Sequence, residues 1–263
     1  MATDRLVRVL QRELLLDRSK YFTSKNTLVP LLYYLAKSGN GRSGAKMIQR
    51  FFVMSQLSEH YGGGAETALR KDFRILADPA LSSPRQGLSE LVTSVEREAR
   101  QYYRGLKIRS DHVWGPPSRN VFVLLMYILM RSRDAADWGH DGKPLAEIEP
   151  KQMQLHHIFP FDFMMKHKAV RKIYLDEGRS PADFRADVND IANLTFLSQR
   201  KNVQIGDTPP WQYLPNETTK QSRRAHFIPE DPALWKPERF SKFLHERSSL
   251  MAKAMTTFLK RLS

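Results

Sequence analysis

Ten consecutive apolar residues, Val121-Phe122-Val123-Leu124-Leu125-Met126-Tyr127-Ile128-Leu129-Met130, constrain this chain most. Wound as a helix, the run is apolar on every side, so other elements must wrap it. It is far short of the roughly 20 residues that a membrane span needs, which makes it a buried core helix. Gly115-Pro116-Pro117-Ser118 leads into it, with proline where a helix start tolerates it. The segments before it carry helical spacing. Leu6, Val7, Leu10 and Leu14 repeat within Asp4 to Arg18 opposite Arg5, Arg8 and Arg12. Leu28 to Leu35 is too long and leucine-rich for one strand and ends at the turn Ser38-Gly39-Asn40-Gly41. Met47, Ile48, Phe51, Phe52, Met54 and Leu57 form a stripe in Ala45 to Tyr61, stopped by three glycines at 62–64. Glu66 to Ala77 and Gln86 to Tyr103 add two more helices, so residues 1–134 read as a helical bundle domain. A tail from Pro237, carrying Phe240, Phe243, Leu244, Leu250, Met251, Ala254, Met255, Phe258 and Leu259, reads as an amphipathic helix within 220–263 that packs back on the helical part.

Composition narrows the chemistry. The 41% apolar and 27% charged residues describe an ordinary globular chain. With no cysteine, neither a disulfide nor a thiolate zinc site can form, so a metal must be held by nitrogen and oxygen. The amino terminus is interrupted by Arg5, Arg8, Arg12 and Glu13 and lacks a signal-peptide pattern, which predicts a cytoplasmic protein away from membranes. The net charge is +14. Its distribution is uneven: residues 1–134 hold 22 Lys and Arg against 12 Asp and Glu, 135–219 hold 10 against 12, and 220–263 hold 10 against 4. Basic flanks around a slightly acidic middle predict a polyanionic partner, a nucleic acid, gripped outside the middle segment.

The middle, 135–219, holds the chemistry. His156-His157-Ile158-Phe159-Pro160 follows a segment that reads as a strand, Asn193 to Leu197 reads as a second, and Asn202 sits on a helix that closes by Gly206. Adjacent residues of a strand point to opposite faces, so His156 and His157 need separate roles. Hydrolysing a phosphodiester needs a base for water and charge relief on the phosphate. One imidazole supplies the first, on the order of 10²–10⁴-fold, and one divalent cation the second. Between the strands, Gly178-Arg179-Ser180-Pro181 with Ala182 to Ala186 reads as an insertion. Arg200 and Lys201 directly precede Asn202 and read as a phosphate clamp or a solvated helix edge. Arg247, on the apolar stripe of the last helix, makes either a buried ion pair or a phosphate contact. Asp190 and Asp207 are close enough in sequence to reach a metal, while His140, His167, His226 and His245 read as surface or packing residues.

His-His-x-x-Pro followed by Asn-Leu-x-x-Leu and a second asparagine nine residues after the first resembles the HNH, or histidine-metal finger, endonuclease motif. More narrowly, the chain resembles the carboxy-terminal nuclease portion of GmrSD-type modification-dependent restriction enzymes. The likeness extends to Phe22-Thr23-Ser24-Lys25-Asn26, to Gly206-Asp207-Thr208-Pro209-Pro210-Trp211-Gln212-Tyr213-Leu214 and to Ala225-His226-Phe227-Ile228-Pro229. The resemblance implies a mainly α chain with a small ββα-metal motif inserted at 135–219, α+β overall. It makes His156 and Asn202 the ligands of one Mg2+ or Mn2+, His157 the general base, and Asn193 the residue that pins the loop. It implies a metal-dependent DNA endonuclease acting in restriction or antiviral defence. Such proteins usually begin with a ParB-like NTPase domain bearing Asp-Gly-Gln-Gln-Arg. That string does not occur in this chain, so a sensor is expected in a larger protein or on a separate subunit. The gap of 36 residues from His157 to Asn193 is longer than in compact members. A catalytically inactive nucleic-acid-binding or assembly subunit, and an RNA-directed nuclease, are the alternatives.

Overall fold

The computed structural model describes residues 1–38, 44–118, 120–139 and 142–262. Gly39 to Gly41 of the expected turn and His140 lie outside the described residues. The protein is mainly helical, with one two-stranded sheet among the described residues. No helix of the described residues is long and apolar enough to cross a membrane. The chain divides into two compact units, Met1–Lys107 with Thr256–Ser263, and Ile108–Met255.

In the first unit, α1 (Ala2–Glu13), α2 (Leu28–Lys37), α3 (Ala45–Leu57), α4 (Ala65–Leu76) and α5 (Pro84–Tyr102) form the bundle that the apolar spacing predicts. α3 is its centre: every residue from Phe51 to Leu57 is buried. A polar residue at so enclosed a position must find partners. The Gln56 amide donates to Ser24 O at 2.8 Å and Thr27 Oγ1 at 2.7 Å and accepts from Thr23 N at 2.6 Å, tying the Ser24-Lys25-Asn26 turn to the helix. α5 starts with a Ser83 cap and Pro84 in its first turn.

The second unit begins before the apolar run. That run forms α6 (Val121–Ser132), buried from Val121 through Arg131 as its all-round apolarity requires, and it belongs with the sheet rather than with the bundle of 1–107. Its start is set by Asn120, whose Oδ1 accepts from Phe122 N at 2.9 Å; the Pro116-Pro117 pair lies upstream of the helix. Strands β1 (Met153–His157) and β2 (Leu194–Ser198) pair antiparallel, His156 opposite Thr195 and His157 opposite Leu194. The connection between them carries α7 (Phe161–Lys166), α8 (Lys168–Asp176) and α9 (Pro181–Val188), with His167 between the first two capping α8. Beyond β2 come α10 (Gln199–Ile205), α11 (Pro210–Glu217), α12 (Lys220–Ala225) and α13 (Phe240–Leu262).

The carboxy-terminal helix is divided between the units. Residues through Met255 belong to the second, and only the last turns to the first. Phe240 and Phe243 meet Phe159 edge-on at 5.0 and 4.9 Å, within a core that includes Trp138, Tyr174, Phe184 and Leu244.

Candidate functional site

The strand pair and the helix that follows it bring the sequence-selected residues together. Ser198 ends β2 and caps α10, its Oγ accepting from Lys201 N at 3.1 Å. Asp137 fixes that cap by accepting from Ser198 N at 2.9 Å and Ser198 Oγ at 2.6 Å. One helical turn on, Asn202 faces back to β1. Its Nδ2 donates to Gln154 Oε1 at 2.9 Å, and its Oδ1 lies 2.7 Å from His156 Nδ1. An amide oxygen only accepts, so Nδ1 carries the proton in this arrangement.

His156 is 2% exposed. Trp138 approaches its ring edge-on at 5.6 Å and Tyr213 at 6.0 Å. Burial pushes its pKa down to about 4, against the bond to Asn202 and with a smaller push from His157, so the ring is neutral at pH 7. Its Nε2 is buried with no hydrogen-bond partner.

His157 points to the other face, as strand alternation requires, and is partly exposed. Its Nε2 faces Asn189 Oδ1 at 3.2 Å. The Asn189 amide is oriented independently, because its Nδ2 donates to Arg185 O at 3.2 Å. Nε2 of His157 is therefore the donor and Nδ1 holds the lone pair. Burial lowers the pKa of this imidazole, only partly offset by the Asn189 bond.

Asn193 is fully buried and works as a three-way pin. Its Oδ1 accepts from Phe159 N at 2.9 Å, and its Nδ2 donates to Phe159 O at 3.0 Å and Val188 O at 2.9 Å. The residues just after His157 are thus locked to the end of α9.

His226 completes the support. Its Nε2 donates to Ala136 O at 2.7 Å, so Nδ1 accepts the Thr195 hydroxyl at 2.8 Å, directly across the ladder from His156. Burial drives its pKa down to about 3. It is a neutral packing histidine, as its lack of partner spacing implies.

Several sequence expectations need correction. The Lys201 ammonium turns inward to Glu217 Oε2 at 3.0 Å and is largely buried, so it is not free to clamp a phosphate; Arg200 is exposed. Arg247 forms no ion pair among the described residues. Fully buried, it donates to Ile191 O at 3.2 Å, Ala192 O at 2.8 Å and His226 O at 3.2 Å, and burial lowers its pKa to about 9. Asp190 accepts from Gly115 N at 2.6 Å and Ala192 N at 2.7 Å, holding the turn before β2 instead of facing a metal, and burial raises its pKa to about 6. Asp207 is exposed after α10.

His156 and Asn202 would fit one small divalent cation once the proton on His156 Nδ1 moves to Nε2, which frees the Nδ1 lone pair and replaces the hydrogen bond to Asn202. With metal–oxygen distances of about 2.1 Å, neighbouring ligands of an octahedral ion stand about 3.0 Å apart, close to the 2.7 Å between His156 Nδ1 and Asn202 Oδ1. With the His156 proton on Nε2, the pair would supply a neutral nitrogen and a neutral oxygen. No group of three His, Cys, Asp or Glu side chains among the described residues could hold a metal, so water and phosphate oxygens would fill the remaining positions. Asn189, Gln154 and Trp138 had no signal in the sequence, because each reaches the histidines only through folding; Tyr213 lay within the Gly206 to Leu214 stretch of the resemblance, without a role assigned to it. Compared with known protein families, curated proteins and solved structures, the chain matches none of them.

Proposed function

We propose that the protein is a metal-dependent DNA endonuclease that hydrolyses phosphodiester bonds at His156, His157 and Asn202, held by the Asn193 pin. The observation that carries this reading is the division of labour across β1. His156 turns its Nδ1 to Asn202 on α10, while the adjacent His157 turns to the opposite face with a lone-pair nitrogen and an oriented ring. A nitrogen and an oxygen at ligand spacing, whose hydrogen bond a cation would replace as the His156 proton moves to Nε2, beside a neutral imidazole base, suit a one-metal phosphodiesterase.

In this reading, His157 Nδ1 takes a proton from water as the water oxygen forms a bond to phosphorus. The bond from phosphorus to the departing deoxyribose oxygen breaks, and that oxygen leaves with a proton from solvent. Asn189 keeps the His157 proton on Nε2 so that Nδ1 stays free, and Asn193 holds the loop that follows the base. Mg2+ or Mn2+, held by His156 and Asn202, would supply charge relief on the phosphate and on the departing oxygen. The +14 net charge suits a nucleic-acid substrate. Purified protein with magnesium or manganese should nick or cut plasmid DNA, and EDTA should stop it. A His157→Ala variant that cuts as fast as the wild type refutes the assignment. A parallel digestion of total RNA separates the two nucleic acids.

A second reading rests on the enclosure of His156 by Trp138 and Tyr213. It makes the protein an inactive nucleic-acid-binding or assembly subunit, with the histidines as packing. It expects salt-sensitive binding without cleavage under any divalent metal. A cytoplasmic restriction or defence role, with a ParB-like NTPase partner as the sensor, belongs to the first reading, and co-purification of such a partner tests it.

A further inference from the structure

The correction at Lys201 leaves the attacked phosphate short of a cation that the sequence had seemed to provide, and another stands on the face of His157. α9 lies in the long connection between the strands. Its Arg185 is exposed, and no carboxylate pairs with it among the described residues. It is nevertheless placed: its guanidinium lies over the Phe161 ring, 5.1 Å from the centroid, and its backbone oxygen accepts from Asn189. Phe161 in turn stands 5.9 Å from the His157 ring. Taken end to end, those two distances keep the guanidinium within 11.0 Å of the imidazole. That is about three nucleotide rises of roughly 3.4 Å along one strand.

The other charged residues of α9 and of the turn before it are engaged elsewhere. Arg179 pairs with Asp187 at 2.7 Å, and Asp183 is engaged by Ser180 in the cap of α9. Asp162, beside Phe161 in the chain, makes no ion pair among the described residues. An aromatic platform restrains a guanidinium at low cost while leaving its edge donors for a bidentate contact. Such a planar fork matches carboxylate and phosphate, and the +14 charge of the chain favours the phosphates of a polyanion.

We infer that Arg185, seated on Phe161, is a phosphate-binding subsite that anchors the nucleic-acid strand beside His157. It rests on the hydrolase reading for the identity of the site, and it deepens it by making the α7–α9 connection part of the substrate surface. The strand would run from the His157 face over Phe161, with Arg185 on the attacked phosphate or one of its nearest neighbours.

The test measures binding and cleavage separately. Each phosphate contact contributes about 0.9 to the slope of log affinity against log salt, so between 50 and 200 mM salt one contact costs about 3.5-fold. With a fluorescent DNA oligonucleotide and EDTA present, Arg185→Gln should lower the slope by about one and lose about 3.5-fold less affinity than the wild type over that range. Phe161→Leu, which keeps the charge and removes the platform, should weaken binding at low salt. In cleavage, Arg185→Gln should lower kcat/KM mainly through KM. Arg185→Gln with the wild-type slope and KM overturns the inference and leaves the hydrolase reading standing. Wild-type binding without cleavage, together with a lowered slope in Arg185→Gln, supports the subsite and removes the hydrolase. A wild type that binds no nucleic acid overturns both. Unchanged thermal melting of Arg185→Gln, expected for an exposed side chain, confirms that the variant is folded.

Discussion

Replacing Asn193 by alanine tests whether the loop after His157 is held as described. The side chain satisfies Phe159 N, Phe159 O and Val188 O, and it is fully buried. Leaving a buried backbone group unpaired costs about 1–3 kcal/mol. Three such groups, with partial relaxation, cost about 3–6 kcal/mol, against a total of about 5–15 kcal/mol for a typical domain. The four tryptophans, Trp114, Trp138, Trp211 and Trp235, all belong to the unit that contains Asn193, so their fluorescence reports its unfolding. With a urea m-value of about 2 kcal/mol/M, the midpoint should fall by about 1.5–3 M with m unchanged. Asn193→Asp keeps the shape and the acceptor but removes both donors, so it separates hydrogen bonding from cavity formation. It should lose most of the same stability at pH 7. A loss below about 1 kcal/mol for alanine, or an aspartate variant as stable as the wild type, refutes the pin.

Four further outcomes can be measured. Burial opposes charge on His60, but Asp72 and Glu98, on its two ring nitrogens, outweigh it and raise its pKa to about 9. Its contribution to stability is complete below the unfolded value near 6.5 and is lost as pH rises through about 9, so wild type minus His60→Gln in urea midpoint should shrink over that window. Because burial lowers the pKa of His157, the acid limb of the cleavage profile should lie below pH 6.5, and Asn189→Asp should move it upward; a limb unmoved by that variant counts against Asn189 orienting the base. Gly139→Ala should cost about 1–3 kcal/mol by tryptophan fluorescence, since its φ is +115° and a Cβ there would stand 2.7 Å from Lys201 Nζ. Manganese at 100 times its Kd should stabilise the wild type by about 2.7 kcal/mol and leave Asn202→Ala little changed; equal stabilisation of both places the ion elsewhere.

The helical character of the chain was legible because it is written in local spacing, whereas the two asparagines were singled out through the resemblance. The apolar run at 121–130 had to be buried, and it is. What spacing could not assign was the partner of each polar group. Arg247 occupies an apolar stripe as any buried residue would, and only the fold shows that three carbonyls from two distant turns surround it. His157 needs a residue 32 positions away to set its tautomer, and nothing marks Asn189 among the chain's other asparagines.

Lys201 shows the physical limit most clearly. Successive residues of a helix are turned by about 100°, so once Asn202 faces β1, its two predecessors cannot share its direction. Lys201 turns toward Glu217 on α11 and Arg200 turns outward. Adjacency in sequence therefore argued against a joint Arg200-Lys201 clamp at the Asn202 position, not for it. A cation that does reach the His157 face has to come from another element. The connection between β1 and β2 brings one, because the same α9 whose end holds the His157 ring carries Arg185 one turn earlier, on the side where Phe161 meets that ring. On this argument the length of the connection is tied to the site: shortening it to a tight hairpin would keep the strand register and remove the base's hydrogen-bond partner together with the guanidinium beside it.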